Sequence, residues 1–303
     1  MTITYEDILK AKETQSDVIR KTSLEFSDTF SKLCGANVYL KNEYEQKTGS
    51  FKIRGAYYKI KSLTDEEKSK GVVAASAGNH SQGVAFASQI ENIQCTIVMP
   101  KTASPAKVAA TKGYGANVVL EGITYDESWA HAQKIAKETG ATIIHAFDDQ
   151  HVIAGQGVIG LEIIEELPNL DEIYVPIGGG GLVAGIITAI KEKNPNVKII
   201  GVESNAYPAM KQSLENNSLT TVEGKMTIAD GISVKTPGKF TFEIVQQEID
   251  KIVTVDDSDI INAMFLLMER SKAVVEPAGA VALACLLYTS DAADEGLGVD
   301  LGG

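Results

Sequence analysis

Lys52 is the residue whose neighbours in this sequence most favour covalent chemistry. The stretch from Lys47 to Ala56 is built of small, apolar or helix-capping residues, which predicts that packing holds the Lys52 side chain. Ser50 is predicted to cap a helix whose first turn contains Lys52. The positive end of that helix and partial burial beside Phe51 both favour the neutral amine, the form that makes Schiff bases. A solvated surface lysine is the alternative interpretation.

A run of small residues follows a predicted strand that ends at Ala75. It reads Ser-Ala-Gly-Asn-His-Ser-Gln-Gly at positions 76–83. Small residues at a helix N-terminus leave backbone N–H groups open to an anion, which favours a carboxylate site. Asn79 adds a neutral amide that can bond a phenolic or carboxylate oxygen. An ordinary capped turn explains the same residues.

Four consecutive glycines, at 178–181, follow a second predicted strand at 173–177. Their backbone can curl around a phosphate with its amides pointing inward. A helix that begins at Leu182 adds its dipole to the attraction. The glycines therefore predict an anion site.

The same glycines leave a second interpretation open. Gly179, Gly181 and Ala184 fit the G-x-G-x-x-A form of the dinucleotide fingerprint, and Glu203 lies near the place of a ribose-binding carboxylate. An NAD-binding oxidoreductase is therefore an alternative.

The remaining polar residues carry weaker signals. Pro277 begins a small-residue helix after Glu276, which favours a tightly packed helix start. Asp148 and Asp149 have the pattern of solvated loop charges. The histidines form no metal-like cluster and no Ser-His-Asp arrangement, so no metal is expected; they are His80, His131, His145 and His151.

Alternating strands and helices must position these residues. An amphipathic helix is predicted at 5–20, and helices are predicted from Pro105, from Tyr125 to Glu138, around 157–166 and from Leu182. The predicted strands are 37–41, 72–75, 95–99, 117–120, 142–145, 172–177 and 197–202. Alternation of this kind predicts an α/β fold with two parallel sheets. We expect a smaller domain at 71–148, inserted into a larger one formed by 1–70 and 149–303.

Composition excludes several classes of protein. The 303 residues carry a formal charge of −12, which argues against nucleic acid or an anionic membrane as the main partner. The three cysteines are far apart in sequence, which favours a reduced, cytoplasmic setting. The N-terminal residues do not have the pattern of a signal peptide, and no apolar run is long enough to span a bilayer.

The last residues, 288–303, break the alternating pattern. They are rich in Asp, Ala and Gly, and they stand where a further strand is expected after the helix 278–287. This composition indicates a truncated or foreign tail.

Taken together, the segments resemble the fold type II pyridoxal-phosphate enzymes, which have a tryptophan synthase beta-like fold. The closest resemblance is to the serine/threonine dehydratases, and it covers about residues 5–287. The matching motifs are Lys41-Asn42-Glu43, Thr48-Gly-Ser-Phe-Lys-Ile-Arg-Gly-Ala56, Ser76-Ala-Gly-Asn-His80, Gly178 to Leu182, Ala229-Asp-Gly-Ile232 and Glu276-Pro-Ala-Gly-Ala280.

The resemblance implies a role for each segment. Lys52 becomes the catalytic residue and carries pyridoxal 5'-phosphate as a Schiff base. The implied cofactor-binding residues are Phe51, Lys52, Asn79, Gly178, Gly179, Gly180, Gly181 and Leu182. The implied substrate-binding residues are Ser76, Ala77, Gly78, Asn79 and His80.

The implied activity is that of an L-threonine/L-serine dehydratase, a lyase of isoleucine biosynthesis or threonine catabolism. It eliminates water and yields 2-oxobutanoate or pyruvate plus ammonia. Serine racemase and β-replacement are sister reactions on this scaffold. Racemases of the family carry a serine where this chain has Ala77, so elimination is favoured. A relative that only binds ligand is the last alternative.

The chain also departs from the family pattern. Members usually end with a Ser- or Cys-Gly-Gly-Asn segment at the pyridine nitrogen, and none follows Leu287. The regulatory domain of biosynthetic members is missing too, so we expect no end-product inhibition through it. Near Glu203 the spacing only partly fits the cation site of some relatives. The family resemblance also implies a homo-oligomer.

Overall fold

The computed structural model describes residues 3–288. Its helices are α1 (Tyr5–Gln15), α2 (Asp28–Cys34), α3 (Lys52–Lys61), α4 (Asp65–Lys70), α5 (Asn79–Ile90), α6 (Pro105–Gly113), α7 (Tyr125–Thr139), α8 (Gln150–Glu166), α9 (Gly181–Lys193), α10 (Ala209–Glu215), α11 (Lys239–Glu248), α12 (Asp257–Arg270) and α13 (Pro277–Tyr288). Short 3-10 helices span Glu43–Glu45 and Asp230–Ile232. Within the described residues, no helix has both the length and the apolar character that crossing a membrane requires.

Two parallel sheets organise these helices. The strands are β1 (Leu24–Phe26), β2 (Tyr39–Lys41), β3 (Val72–Ala75), β4 (Cys95–Met99), β5 (Asn117–Leu120), β6 (Thr142–Ile143), β7 (Glu172–Pro176), β8 (Lys198–Ser204) and β9 (Lys251–Val255). One parallel sheet has the order β5-β4-β3-β6 and the other the order β7-β8-β9, while β1 and β2 pair antiparallel.

Helices cover both faces of each parallel sheet, as buried parallel strands require. Helices α3 and α5 pack on one face of the four-stranded sheet, and α7 packs on the other. Helices α1, α8, α9 and α11 share a core with one face of the three-stranded sheet, while α12 and α13 share the core on its other face. The predicted α/β fold with two parallel sheets is confirmed. The domain boundaries at 70/71 and 148/149 stay predictions.

Several element boundaries differ from those predicted. The first helix ends at Gln15, the strand predicted to reach His145 ends at Ile143, and the helix predicted around 157–166 begins at Gln150. Strand β9 was not predicted. The tail predicted at 288–303 lies outside the described residues beyond Tyr288.

Glycines bring three helices together backbone against backbone. A Cβ added at Gly155 in α8 would lie 2.7 Å from the Cα of Gly55 in α3. A Cβ added at Gly185 in α9 would lie 2.6 Å from the backbone nitrogen of Gly157 in α8. Only glycine permits both approaches. Helix α8 therefore fixes the start of α3, which carries Lys52, relative to the start of α9, where the four glycines end.

A buried ionic cluster locks the first turn of α3. The Arg54 side chain is fully buried and donates two hydrogen bonds of 2.8 Å to Glu43 and two of 2.7 and 2.9 Å to Glu162. Lys41 lies 2.7 Å from the second carboxylate oxygen of Glu162. Two cations therefore face two carboxylates, and the paired geometry offsets the cost of burying them.

We predict that Arg54→Met lowers the free energy of unfolding by about 3–5 kcal/mol, because it leaves Glu43 and Glu162 as buried charges without their main partner. Lys32→Met is the matched control, since it breaks an ion pair with Asp28 whose side chains are 75% and 70% exposed. That control is expected to change stability by less than about 1 kcal/mol. Urea denaturation of both variants measures the difference. Equal losses in the two variants would contradict a structural role for the cluster.

Candidate active site

Lys52 is the first residue of α3, as predicted, but its cap differs from the prediction. Phe51 occupies the cap position, and no side chain caps the helix. The Ser50 hydroxyl is buried and makes no hydrogen bond. Ser50 as the N-cap was therefore wrong, because the chain reaches α3 with Phe51 already in a helical conformation.

The Lys52 amine lies in a partly buried position. Its Nζ donates a 3.0 Å hydrogen bond to the Ala146 carbonyl and lies 5.3 Å from the centroid of the Phe51 ring. Burial lowers the pKa of Lys52 to about 8, and the Glu276 carboxylate opposes that shift. A large neutral fraction near pH 8 makes this amine a competent nucleophile and base.

The segment 76–80 connects the end of β3 to the start of α5. The Ser76 hydroxyl accepts a 3.2 Å hydrogen bond from the Gly78 backbone, and α5 begins at Asn79. Backbone N–H groups in this turn and in the first turn of α5 suit a carboxylate. Ala77 presents only a methyl group within this turn.

His80, the second residue of α5, has a buried side chain. Its imidazole is buried, and Nε2 is hydrogen-bonded at 2.9 Å to the Ile144 carbonyl. Burial and the nearby charge of Lys52 lower the pKa of His80 to about 3, so the ring is neutral. A neutral buried ring does not hold a carboxylate by charge, which leaves the backbone N–H of His80 for that purpose.

Asn79 joins the segment 76–80 to the start of α13. Its Nδ2 donates a 2.6 Å hydrogen bond to Oε1 of Glu276, whose pKa is raised by burial although Asn79 opposes that effect. The second N–H of the Asn79 amide can serve a ligand. The segment beginning at Glu276 was favoured as a packed helix start, and the structure adds this bond toward the site.

The four glycines form a tight turn between β7 and α9. Gly180 has φ +93°, a conformation that favours glycine, and α9 begins at Gly181. A Cβ added at Gly179 would overlap the Phe147 ring, and one at Gly181 would lie 2.9 Å from the Phe147 carbonyl oxygen. The Gly179 carbonyl accepts a 2.6 Å hydrogen bond from the Thr241 hydroxyl. Packing thus fixes a cradle at a helix N-terminus, which is suited to phosphate.

Residues 146–148 link the Lys52 amine to this cradle, although no sequence pattern marked them as part of the site. Ala146 accepts from Lys52, and the Phe147 ring covers Gly179. Asp148 accepts backbone N–H groups at the start of α11, at 2.9 Å from both Lys239 and Phe240.

The prediction that Asp148 and Asp149 are solvated loop charges was wrong. Asp148 caps α11, and Asp149 caps α8 by accepting from the backbone of His151 and Val152 while pairing with Lys59 at 2.7 Å. Carboxylates are favourable at helix N-termini. The position of Asp149 directly before a helix was therefore a sequence signal for its capping role.

Glu203 does not serve a ribose. Its side chain is fully buried, and its carboxylate accepts backbone hydrogen bonds of 2.8 and 2.9 Å from Met210 and Lys211 in α10. Burial raises the pKa of Glu203 to about 7. The carboxylate on which the NAD hypothesis depended therefore already binds the N-terminus of α10. No group of three or more metal-ligating side chains occurs in residues 3–288.

Comparisons with known proteins give one matching family and several relatives. Residues 15–298 match the model of a family described as "Pyridoxal-phosphate dependent enzyme". An L-threonine ammonia-lyase from Thermotoga maritima is 51% identical over 289 residues, which are 95% of this chain and 72% of the relative. The catabolic L-threonine dehydratase TdcB of Staphylococcus aureus is 48% identical over 286 residues, which are 94% of this chain and 83% of the relative.

Solved structures are similar over nearly the whole chain. Maize serine racemase has a TM-score of 0.92 at 35% identity, covering 95% of this chain and 87% of that one. The processed form of threonine deaminase isoform 2 from Solanum lycopersicum has a TM-score of 0.90 at 40% identity, covering 94% of this chain and 83% of that one.

We predict that Glu276→Gln lowers the pKa of Lys52 below about 8. The substitution keeps a hydrogen-bond acceptor for Asn79 but removes the negative charge that favours the ammonium form. Mass spectrometry can follow the acylation of Lys52 against pH in protein free of ligands. The pH of half-maximal rate should fall in Glu276→Gln and stay unchanged in the surface variant Glu121→Gln. An unchanged or higher value in Glu276→Gln contradicts the assignment.

Proposed function

This chain belongs to the family of pyridoxal-phosphate dependent enzymes, and on that basis we propose that it is an L-threonine dehydratase, a threonine ammonia-lyase. The observation that carries the proposal is the partly buried amine of Lys52, joined by residues 146 and 147 to the glycine cradle. Identity of 51% to an L-threonine ammonia-lyase supports threonine as the substrate. L-Serine is the proposed second substrate.

The residues present fit pyridoxal 5'-phosphate. The cradle at 178–181 excludes side chains and ends at a helix N-terminus, which suits the phosphate, and Leu182 continues that first turn. Lys52 would hold the aldehyde carbon, and Phe51 would lie beside the ring. Asn79 would direct an N–H to the phenolic oxygen.

When bound, pyridoxal phosphate withdraws electrons from the substrate's α-carbon and so stabilises the negative charge that proton removal leaves there. The chain's own residues supply the remaining steps. In the segment Ser76 to His80, the N–H groups of Ser76 and Gly78 already donate to the Val98 carbonyl and to the Ser76 hydroxyl. The backbone N–H groups of Ala77, Asn79 and His80 would therefore hold the substrate carboxylate and orient the α-proton. The substrate's amine would first replace Lys52 at the aldehyde carbon. The freed, neutral amine of Lys52 would then take the α-proton, for which a pKa of about 8 is well matched. Loss of the β-hydroxyl as water leaves 2-aminobut-2-enoate, which after release tautomerises and takes up one water to give 2-oxobutanoate and ammonia.

Serine racemisation is the second candidate, because racemase structures are among the solved relatives. A racemase needs a second acid or base on the opposite face of the reacting carbon. The resemblance assigns that role to a serine at the position that Ala77 occupies here, and a methyl group transfers no proton. Elimination is therefore favoured over racemisation.

We further propose a cytoplasmic homo-oligomer acting in threonine catabolism or isoleucine biosynthesis. Within the described residues Cys34 and Cys95 form no disulfide bond, which supports a reduced compartment. The name of the S. aureus relative supports a catabolic role.

We predict that Lys52→Ala abolishes the visible absorbance band formed with pyridoxal phosphate and lowers the rate of 2-oxobutanoate formation from L-threonine by at least about 10²–10⁴-fold. Lys61→Ala, at the other end of α3, is the matched control and should keep both the band and the rate. A band without turnover in the wild-type chain would favour the alternative of a relative that only binds ligand.

We also predict that Ala77→Ser gains serine racemisation, because the hydroxyl adds a proton donor that the wild type lacks. Chiral chromatography measures D-serine formed from L-serine alongside pyruvate. The ratio of D-serine to pyruvate should rise in Ala77→Ser and stay near zero in Ala77→Gly. If the wild type racemises as fast as it eliminates, the argument from Ala77 is wrong.

A further inference from the structure

The segment 144–148 makes contacts with several parts of the site. The Ile144 carbonyl accepts from His80 at 2.9 Å, and the Ala146 carbonyl accepts from Lys52 at 3.0 Å. Phe147 covers Gly179, and Asp148 caps α11. The side chain of the remaining residue, His145, has no role in the activity described above.

The His145 ring is turned back onto its own segment. Its Nδ1 accepts backbone hydrogen bonds from Phe147 at 3.3 Å and from Asp148 at 2.8 Å. A ring nitrogen that accepts carries no proton, so the neutral ring has its proton on Nε2. Edge-to-face contacts hold the ring between Trp129, at a centroid distance of 5.1 Å, and Phe147, at 4.7 Å.

The charged groups around this ring act in both directions. Burial lowers the pKa of His145, Asp148 and Asp149 raise it, and the charge of Lys52 lowers it further. The net shift is downward, which agrees with a ring that accepts through Nδ1 at neutral pH.

The geometry of the peptide group transmits the position of the ring to Lys52. The Ala146 carbonyl and the Phe147 N–H belong to one planar peptide group, and in a trans peptide they point in opposite directions. When Nδ1 of His145 binds that N–H, it fixes the plane of the group. The Ala146 carbonyl then points away from His145 and toward the Lys52 amine.

We propose that His145 is a positioning residue for Lys52: its unprotonated Nδ1 orients the 146–147 peptide so that the Ala146 carbonyl holds the amine whenever that amine is free. The inference rests on the proposed function, in which the amine of Lys52 is free while it takes the α-proton. A carbonyl acceptor leaves the lone pair of the neutral amine available, because the amine uses an N–H for the bond. The same contact orients Phe147 over the glycine cradle.

A ring that only fills space between Trp129 and Phe147 is the competing explanation, and two amide variants distinguish the two. His145→Asn places its carbonyl oxygen near the position of Nδ1, whereas His145→Gln places its amide near Nε2. Both variants are neutral and polar, so they differ mainly in where the acceptor stands. The positioning role predicts that Asn restores what Gln loses.

The first measurement uses protein free of cofactor and so does not depend on the proposed reaction. A carbonyl that accepts from Lys52 favours the ammonium form, so its loss lowers the pKa of Lys52. The pH of half-maximal acylation of Lys52 should match the wild type in His145→Asn and fall in His145→Gln. Equal values in the two variants overturn the proposal.

Nitrogen NMR of His145 in the wild type decides the matter even if His145→Gln fails to fold. The spectrum should show the proton on Nε2 between about pH 6 and 8, near the ordinary pKa of histidine. A proton on Nδ1 in this range overturns the proposal.

Turnover of L-threonine completes the test. A misplaced amine should lower kcat by about 10–100-fold in His145→Gln and leave KM within about 3-fold. The ring is held by Trp129, Phe147 and Asp148, none of which is assigned to the substrate carboxylate. His145→Asn should recover most of kcat. A loss confined to KM, or equal in both variants, contradicts the positioning role. If the wild type does not turn over threonine, the proposed function fails. The acylation and NMR results still show whether His145 orients the acceptor of Lys52.

Discussion

The close approach of α3 and α9 to α8 is the constraint on which the site depends. Gly55 meets Gly155 and Gly157 meets Gly185 at distances that leave no room for a side chain. The starts of α3 and α9 are thereby held on one rigid helix, and these starts carry the reactive amine and the anion cradle. A shift of about 1 Å between two such groups costs about 10²-fold in rate, so rigid packing here has a direct consequence for chemistry.

The first turn of α3 contains two basic side chains in different environments, the fully buried Arg54 and the partly buried Lys52. Arg54 is fully paired with Glu43 and Glu162, so it fixes the helix and takes no part in chemistry. Lys52 has a carbonyl as its hydrogen-bond partner, and the carboxylate of Glu276 acts on it only through the electrostatic field. Burial lowers the pKa of that amine to about 8, and the charge of Glu276 only partly offsets the shift. The Arg54 cluster thus holds the same helical turn from which the reactive Lys52 side chain extends.

Much of the fold and part of the site could be predicted from local sequence. Strand and helix alternation, the glycine turn and the position of Lys52 at a helix start all follow from short patterns of residue type. The acceptor for Lys52 could not be predicted, because Ala146 lies 94 residues away and contributes only its carbonyl. The roles of Asp148 and Glu203 were missed for similar reasons, because both accept from backbone N–H groups. The partners of Asp148 begin a helix far along the chain. The partners of Glu203 lie in a nearby helix that was not predicted. Any residue type can supply a backbone group, so such contacts leave no pattern in the sequence.

The central claim is that Lys52 carries the cofactor, and borohydride reduction tests it most directly. The wild-type chain would be incubated with pyridoxal phosphate, reduced and digested, and the modified peptide would be located by mass spectrometry. The account predicts that the pyridoxyl group is found on Lys52, because this amine lies at the edge of a phosphate cradle and burial lowers its pKa to about 8. A much larger fraction of it is therefore neutral than of a surface lysine. Modification spread over surface lysines, or concentrated on a lysine other than Lys52, would contradict it.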